Sequence, residues 1–270
     1  MSKLYKLGVI GSPIDHSLSP FIHSRFARQE NINIDYRAYK VAAEDLDNFV
    51  KDFFLLKESK GLNVTLPHKK SVATLVSNLS DEASFINAAN TVYRNEGKLF
   101  ASSTDGAGLI NDLIEKNISL ENKRILIIGA GAAVESVLYR IIKAKPKSIA
   151  ISNRTKEKAK RLQDKFSIMM PISTQSSNEE YDLVINGSSA GLTGSFSPPD
   201  ISDFNDKTFF YDLNYSLTGT EFCNWSEEIS SHTHDGMGML VSQAALSFYE
   251  WFGVMPSTGD ISKELRELRA

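Results

Sequence analysis

The sequence holds one cysteine, Cys223, among 270 residues. No disulfide can form within the chain and no cysteine-rich zinc site can be built, which fits a reducing, cytoplasmic setting. An excess of charge is also missing: 30 Lys and Arg stand against 33 Asp and Glu, a formal net charge of −3. A chain-wide attraction to nucleic acid or to an anionic membrane is therefore excluded. The basic stretches Lys69-Lys70 and Lys156–Arg161 are too small to reverse that. No apolar run is long enough to span a bilayer, and the N-terminal apolar stretch, broken by Gly11 and Pro13, is too short for a signal segment. The histidines show no metal-binding spacing, and His232-Thr-His234 reads as a loop. No internal repeat or low-complexity segment is present.

What remains is an ordinary globular chain, 41% apolar and 23% charged, with length for about two domains. Short apolar runs alternate with amphipathic stretches, which predicts an α/β fold with mostly parallel sheets. Lys6–Ile10 reads as a strand running into Gly11-Ser-Pro13. Ser19-Pro20 then opens a helix, with Ser19 as its N-cap. Gly61–Thr65 reads as a strand, and two short strands flank the turn Asn95-Glu-Gly97. Gly106–Lys116 reads as a helix with Leu109, Ile110, Leu113 and Ile114 on its apolar face. The run Ser195–Pro199 reads as a loop and Ile261–Arg269 as a charged helix.

Arg124–Ile128, Gly129-Ala-Gly131 and the helix from Ala132 make a strand, a glycine turn and a helix. Such a turn lets the backbone approach a pyrophosphate, which then sits on free N–H groups at the positive end of the helix. Val134 occupies the position where a small residue usually allows close packing, so wider packing is expected there. An NAD-binding turn is followed by a carboxylate at the end of the next strand. Here that strand ends Ser152-Asn153-Arg154-Thr155-Lys156, with no acid. Two cations and two hydrogen-bonding side chains suit a 2′-phosphate, hence NADP.

Polar residues gather where the first-half strands end: His16-Ser17-Leu-Ser19-Pro20, Asn63-Val-Thr65-Leu-Pro67-His68-Lys69, Ala89-Asn90-Thr91 and Thr104-Asp105-Gly106. Singly, each has an ordinary explanation, such as a solvated lysine, a turn aspartate or a cap. Together they set hydroxyls, an amide, a lysine and a carboxylate at neighbouring sheet ends, where open α/β sheets bind ligands.

H-S-L-S-P at 16–20, N-V-T-L-P-H-K at 63–69, A-A-N-T at 88–91, T-D-G at 104–106, G-A-G-A-A at 129–133, S-N-R-T at 152–155 and G-M-G-M-L-V-S-Q-A-A at 236–245 occur in one order along the whole chain. In these the sequence resembles the shikimate dehydrogenases, NADP-dependent enzymes of aromatic amino-acid biosynthesis. The resemblance implies reversible reduction of 3-dehydroshikimate to shikimate. It makes Lys69 and Asp105 the catalytic pair. Ser17 and Ser19, aided by Tyr215, would bind the substrate carboxylate, and Thr65, Asn90 and Gln243 the ring hydroxyls. The cofactor set would be Gly129, Ala130, Gly131, Ala132, Ala133, Asn153, Arg154, Thr155, Lys156, Asn186 and Gly236, with no metal.

The resemblance also implies a discontinuous substrate domain, residues 1–104 plus 237–270, with a Rossmann-type NADP domain, 105–236, inserted and the site in the crevice between them. The assembly would be a monomer or homodimer. The sequence departs from the family pattern at Ala132 where glycine is usual, at Val134 where a small residue is usual, at Ser103 where asparagine is usual, around Ser216-Leu217 where a proline usually follows the tyrosine, and in I-N-G-S-S at 185–189 where I-N-A-T-S is more common. Two alternatives are a paralogue taking quinate as well as shikimate with either cofactor, and a non-catalytic shikimate-binding sensor. The first would want an acid near Asn153, and the second would lack Lys69 or Asp105.

Overall fold

The computed structural model describes residues 3–175, 180–188, 190, 196–199 and 203–267. The first residue of the loop expected at 195–199 and the last two of the helix expected at 261–269 lie outside them. The chain divides into two compact units. One is the chain through Gly108 together with Val241–Glu264; the other is Leu109–Leu240 with the residues from Leu265.

The first unit opens with β1 (Tyr5–Gly11), α1 (Ser19–Gln29) and β2 (Ile34–Lys40), then a 3-10 turn at Ala43–Asp45 that leads into α2 (Leu46–Leu55). It continues through β3 (Ser59–Val64), α3 (Lys69–Leu75), β4 (Asn78–Leu79), α4 (Asp81–Ile86), β5 (Thr91–Asn95), β6 (Lys98–Ser102) and the start of α5 (Asp105–Glu115). Its strands form a six-stranded sheet in the order β2-β1-β3-β5-β6-β4. β1 runs parallel to both neighbours, but β5 is antiparallel to β3 and to β6. β6 turns back along β5 through a two-residue hairpin at Glu96-Gly97, where both residues have positive φ (47° and 78°). That turn matches the twist of the strands it joins. The antiparallel pairing with β3 sets the start of β5, Thr91, beside Asn63 near the end of β3. Ile10, Leu62, Val64 and Val92 from this sheet pack with Val50, Phe53 and Phe54 of α2 in one buried cluster.

The second unit holds β7 (Arg124–Ile128), α6 (Ala132–Lys143), β8 (Ser148–Ser152), α7 (Lys156–Phe166), β9 (Leu183–Asn186), β10 (Phe209–Asp212), α8 (Glu221–Glu227) and β11 (Thr233–His234). Helices α9 (Met237–Phe252) and α10 (Gly259–Glu267) follow, and α5, α9 and α10 each cross a unit boundary. The sheet is parallel throughout, in the order β11-β10-β9-β7-β8. The chain leaves β7 toward β8 and returns on its other side at β9. The strand order therefore reverses between β7 and β9, where doubly wound sheets bind ligands.

Four readings of the sequence are corrected. Ser19 is not the cap of α1: the N-cap position is Leu18, and the Ser17 hydroxyl accepts the Ser19 N–H at 3.3 Å. On α5, Leu109 and Leu113 are buried but Ile114 is 65% exposed, because the packed stripe is narrower than the apolar residues on that helix. His234 belongs to the edge strand β11, since β10 offers Tyr211 as its partner. Val134 does not hold the helix away from the sheet. A Cβ on Gly187 would lie 2.4 Å from its methyl, so the missing side chain on β9's exit makes room for the valine.

Candidate active site

In the first unit the ends of β3 and β6 and the start of β5 bring their polar residues to one end of the sheet's central strands. The Val64 N–H donates to the Asn90 carbonyl at 2.8 Å, and the Asn90 N–H to the Ser102 carbonyl at 3.0 Å. Thr65 and Lys69 follow β3, and Asp105 opens α5. His68, buried before Lys69, is tied to the Val41 carbonyl at 2.8 Å and so anchors the entry to α3.

At the centre, Lys69 Nζ donates to Asp105 Oδ2 at 2.6 Å, with side-chain exposures of 22% and 9%. Asp105 Oδ1 accepts from Asn90 Nδ2 at 2.9 Å. The Asn90 amide has one consistent orientation. Its Oδ1 accepts the Thr104 backbone N–H at 2.8 Å, an atom that can only donate, so Nδ2 faces the carboxylate. Gln243 Oε1 lies 3.2 Å from the same Nδ2. A Cβ on Gly108 would come within 2.8 Å of the Gln243 backbone nitrogen. Glycine there lets α5 carry Asp105 close under the segment bearing Gln243. Charges withdrawn from water cost several kcal/mol each, which their attraction only roughly offsets. A half-shielded Lys–Asp pair thus adds little net stability, and chemistry accounts for it better.

Ser17 is half-buried and Ser19 buried, at the start of α1. Ser19 reaches Tyr36, whose phenol is held well above its ordinary range by burial while the Ser19 hydroxyl opposes the shift. Beneath this lies His23, fully buried and stacked on Tyr36 at 4.5 Å. Neither of its ring nitrogens has a hydrogen-bond partner. Burial lowers its pKa from 6.5 to about 3, the nearby Asn63 amide opposing this weakly. The imidazole is a neutral packing ring.

In the second unit Gly129 has φ +103°, and a Cβ there would lie 2.8 Å from the Ser188 nitrogen. Only glycine fits that bend without strain. Ala130 is buried, whereas Gly131, Ala132 and Ala133 are exposed. A Cβ on Gly131 would meet nothing within 4 Å, and no side chain caps α6. The turn therefore has open N–H groups and open space, the two features a dinucleotide pyrophosphate requires. Arg154, Thr155 and Lys156 are exposed at the start of α7, and the Asn153 amide braces the bend by donating to the Thr155 carbonyl at 2.7 Å. These residues fit NADP.

Asn186 is fully buried: it donates to Asp212 and accepts from the Ser188 N–H and hydroxyl. It shapes the loop after β9. Gly236 is buried too, and a Cβ there would strike the Leu213 carbonyl oxygen at 2.5 Å. Tyr215 is half-buried, and burial raises its phenol pKa. Sequence reading gives no role to Thr104, Gly108 or Ser247. The T-D-G-A-G run around α5's start is the only hint of the first two, and nothing local distinguishes Ser247.

Three family profiles match in chain order: the shikimate dehydrogenase substrate binding domain over residues 9–92, shikimate / quinate 5-dehydrogenase over 112–193, and the shikimate 5′-dehydrogenase C-terminal domain over 236–266. Among curated proteins, the shikimate dehydrogenase (NADP(+)) of Legionella pneumophila (strain Lens) is 40% identical over 97% of this chain and 99% of its own. That of Vibrio campbellii is 38% identical over 97% and 96%. Among solved structures, the shikimate 5-dehydrogenase of Thermus thermophilus in complex with NADP(H) and shikimate is 29% identical. It covers 97% of this chain and 99% of that one, with a TM-score of 0.89.

Proposed function

The chain belongs to the shikimate dehydrogenase family, and from that premise we propose that it interconverts 3-dehydroshikimate and shikimate with NADP, using Lys69 and Asp105 as the reacting pair. The observation that carries this reading is the Lys69–Asp105 contact with Asn90 on the second carboxylate oxygen. When bound, the nicotinamide cofactor exchanges hydride with carbon.

The remaining work falls to this chain's own side chains. The Lys69 ammonium stabilises negative charge building on the carbonyl oxygen and gives it a proton; in the reverse direction Lys69 takes the hydroxyl proton. Asp105 keeps the ammonium aimed and offers a carboxylate oxygen to a neighbouring substrate hydroxyl. Asn90, Thr65 and Gln243 present amide and hydroxyl groups to the ring, and Ser17, Ser19 and Tyr215 present hydroxyls to the carboxylate. Gly129–Ala133 and the α6 N-terminus hold the pyrophosphate, shaped by Asn186 and Gly236. Arg154 and Lys156, with Asn153 and Thr155, hold the 2′-phosphate. No helix among the described residues is long and apolar enough to cross a membrane, and the reading sets the enzyme in the cytoplasm.

A sensor that has lost catalysis has no use for a bonded lysine–carboxylate pair, and a paralogue using either cofactor has no use for two cations where an acid would stand. The deciding experiment is the rate of NADP⁺ and NAD⁺ reduction by purified protein with shikimate. The expected result is fast NADPH formation and slow NADH formation. Equal rates overturn the cofactor assignment, and no reaction with either overturns the enzyme.

A further inference from the structure

Behind the Lys69–Asp105 pair lies a buried polar chain of which the reaction uses only the last two members, Asn90 and Asp105. Tyr36 Oη donates to Asn63 Oδ1 at 2.9 Å. Asn63 Nδ2 donates to Ser247 Oγ at 2.9 Å. Ser247 Oγ and Thr91 Oγ1 are 2.7 Å apart. Thr91 Oγ1 donates to Asn90 Oδ1 at 3.0 Å, and Asn90 Nδ2 donates to Asp105 Oδ1 at 2.9 Å. Thr91 and Ser247 are completely shielded from solvent.

We propose that Ser247 and Thr91 are positioning residues for the reduction, relaying orientation from Asn63 to Asn90 and so to the carboxylate that aims Lys69. Proton counting allows a directed chain. With the Thr91 proton on Asn90 Oδ1, Ser247 donates across the 2.7 Å contact; the other arrangement, Thr91 to Ser247 and Ser247 to the Gln243 carbonyl at 3.1 Å, breaks the chain at Asn90. Asn63 Nδ2 then supplies the hydrogen bond that Ser247 Oγ accepts. Every link points the same way, toward Asp105, and aligned hydrogen bonds polarise and strengthen one another. Thr91 bonds Asn90 on the amide oxygen, the end of the side chain that sets where Nδ2 points. Buried Ser and Thr hydroxyls cost free energy unless bonded.

This inference rests on the proposed reaction, and the experiment separates the two. Wild-type protein that does not reduce NADP⁺ with shikimate removes the reaction; wild-type activity matched by the variants removes only the relay. Steady-state kinetics with shikimate and NADP⁺ compare S247A, T91V and T91S, alongside thermal unfolding and NADPH binding by fluorescence. S247A and T91V are expected to lose kcat by about five- to twentyfold with KM for shikimate and the NADPH dissociation constant close to wild type, since small misplacement of a catalytic group costs rate. T91S keeps the hydroxyl and recovers most of the kcat lost in T91V. Unchanged kcat in both S247A and T91V overturns the proposal. So does a loss carried by KM, which would make these groups substrate contacts, or a T91S rate as low as T91V, which would make the methyl group the cause. If T91V does not fold, the kcat and KM of S247A alone decide between support and rejection.

Discussion

The two candidate binding regions are built on opposite principles. At one end of the central strands of the first unit's sheet, Lys69, Asp105, Asn90, Thr104 and Gln243 hold one another in buried or half-buried hydrogen bonds. At the glycine turn of the second unit, Gly131, Ala132 and Ala133 are exposed, and Arg154 and Lys156 make no ion pair with any described residue. The difference matches what each would do in the proposed reaction. A group that moves a proton has to be in place before the transition state, and a cluster that orients itself avoids reorganisation during reaction. A turn that takes up a charged dinucleotide needs accessible N–H groups and cations whose interactions are not already satisfied from within.

The sharpest way to break this contrast is Lys69→Ala. Removing a proton-transfer group should lower kcat by about 10²- to 10⁴-fold with little change in KM for shikimate. A loss seen mainly in KM would make the first region a binding surface like the second. Next comes Arg154→Ala, expected to weaken NADP⁺ by roughly 10- to 100-fold, the worth of a charged hydrogen bond, and to leave NAD⁺ nearly unchanged. Parallel losses with both cofactors would mean that Arg154 does not read the 2′-phosphate.

Within the turn itself, two glycines should separate. Gly129→Ala forces a side chain into φ +103° against the Ser188 nitrogen and should cost about 1–3 kcal/mol of stability by chemical unfolding. Gly131→Ala has open space and should leave unfolding unchanged while weakening NADPH. Equal stability losses would mean that Gly131 is structural.

The smallest effect concerns acid stability in the first unit. His23 has a folded pKa of about 3 against 6.5 for the ordinary side chain. Between those values the unfolded chain binds the proton and the folded one does not. The contribution is therefore fully present above 6.5 and is lost as pH falls toward 3. From pH 6.5 to 5 the loss is about 1–2 kcal/mol. Urea unfolding of His23→Phe at both pH values should show a correspondingly flatter dependence, and an unchanged slope would assign acid sensitivity elsewhere.

Much of the site was legible because its residues cluster in short runs beside turns. Ser17 and Ser19, Thr65 and Lys69, Asn90 and Asp105, and the Gly129–Ala133 turn each lie where a strand or loop meets the next element. Arg154 and Lys156 entered the proposed site through the missing acid beside them. Gly108 was not, since its role is the space it leaves under Gln243, 135 positions away in sequence. Val134 misled for the same reason: its neighbour Gly187 lies on another strand exit. The helix α4 was missed because its stripe is short. Its N-cap, Ser80 accepting the Ala83 N–H at 3.2 Å, is a better signal than its periodicity.

By itself the sequence determined the alternation of strands and helices, the impossibility of a disulfide within the chain, the glycine turn, and the kinds of reactive group available. Those depend on local periodicity and on residue chemistry, which a linear string carries. Only the tertiary structure decided that β5 runs backward to start beside β3, that Asn90 turns its amide nitrogen to Asp105, and that Ser247 lies within 2.7 Å of Thr91. These are contacts between distant segments. Their geometry comes from which small residues let backbones approach and which donors have an acceptor within reach, and neither is written at any one position of the chain.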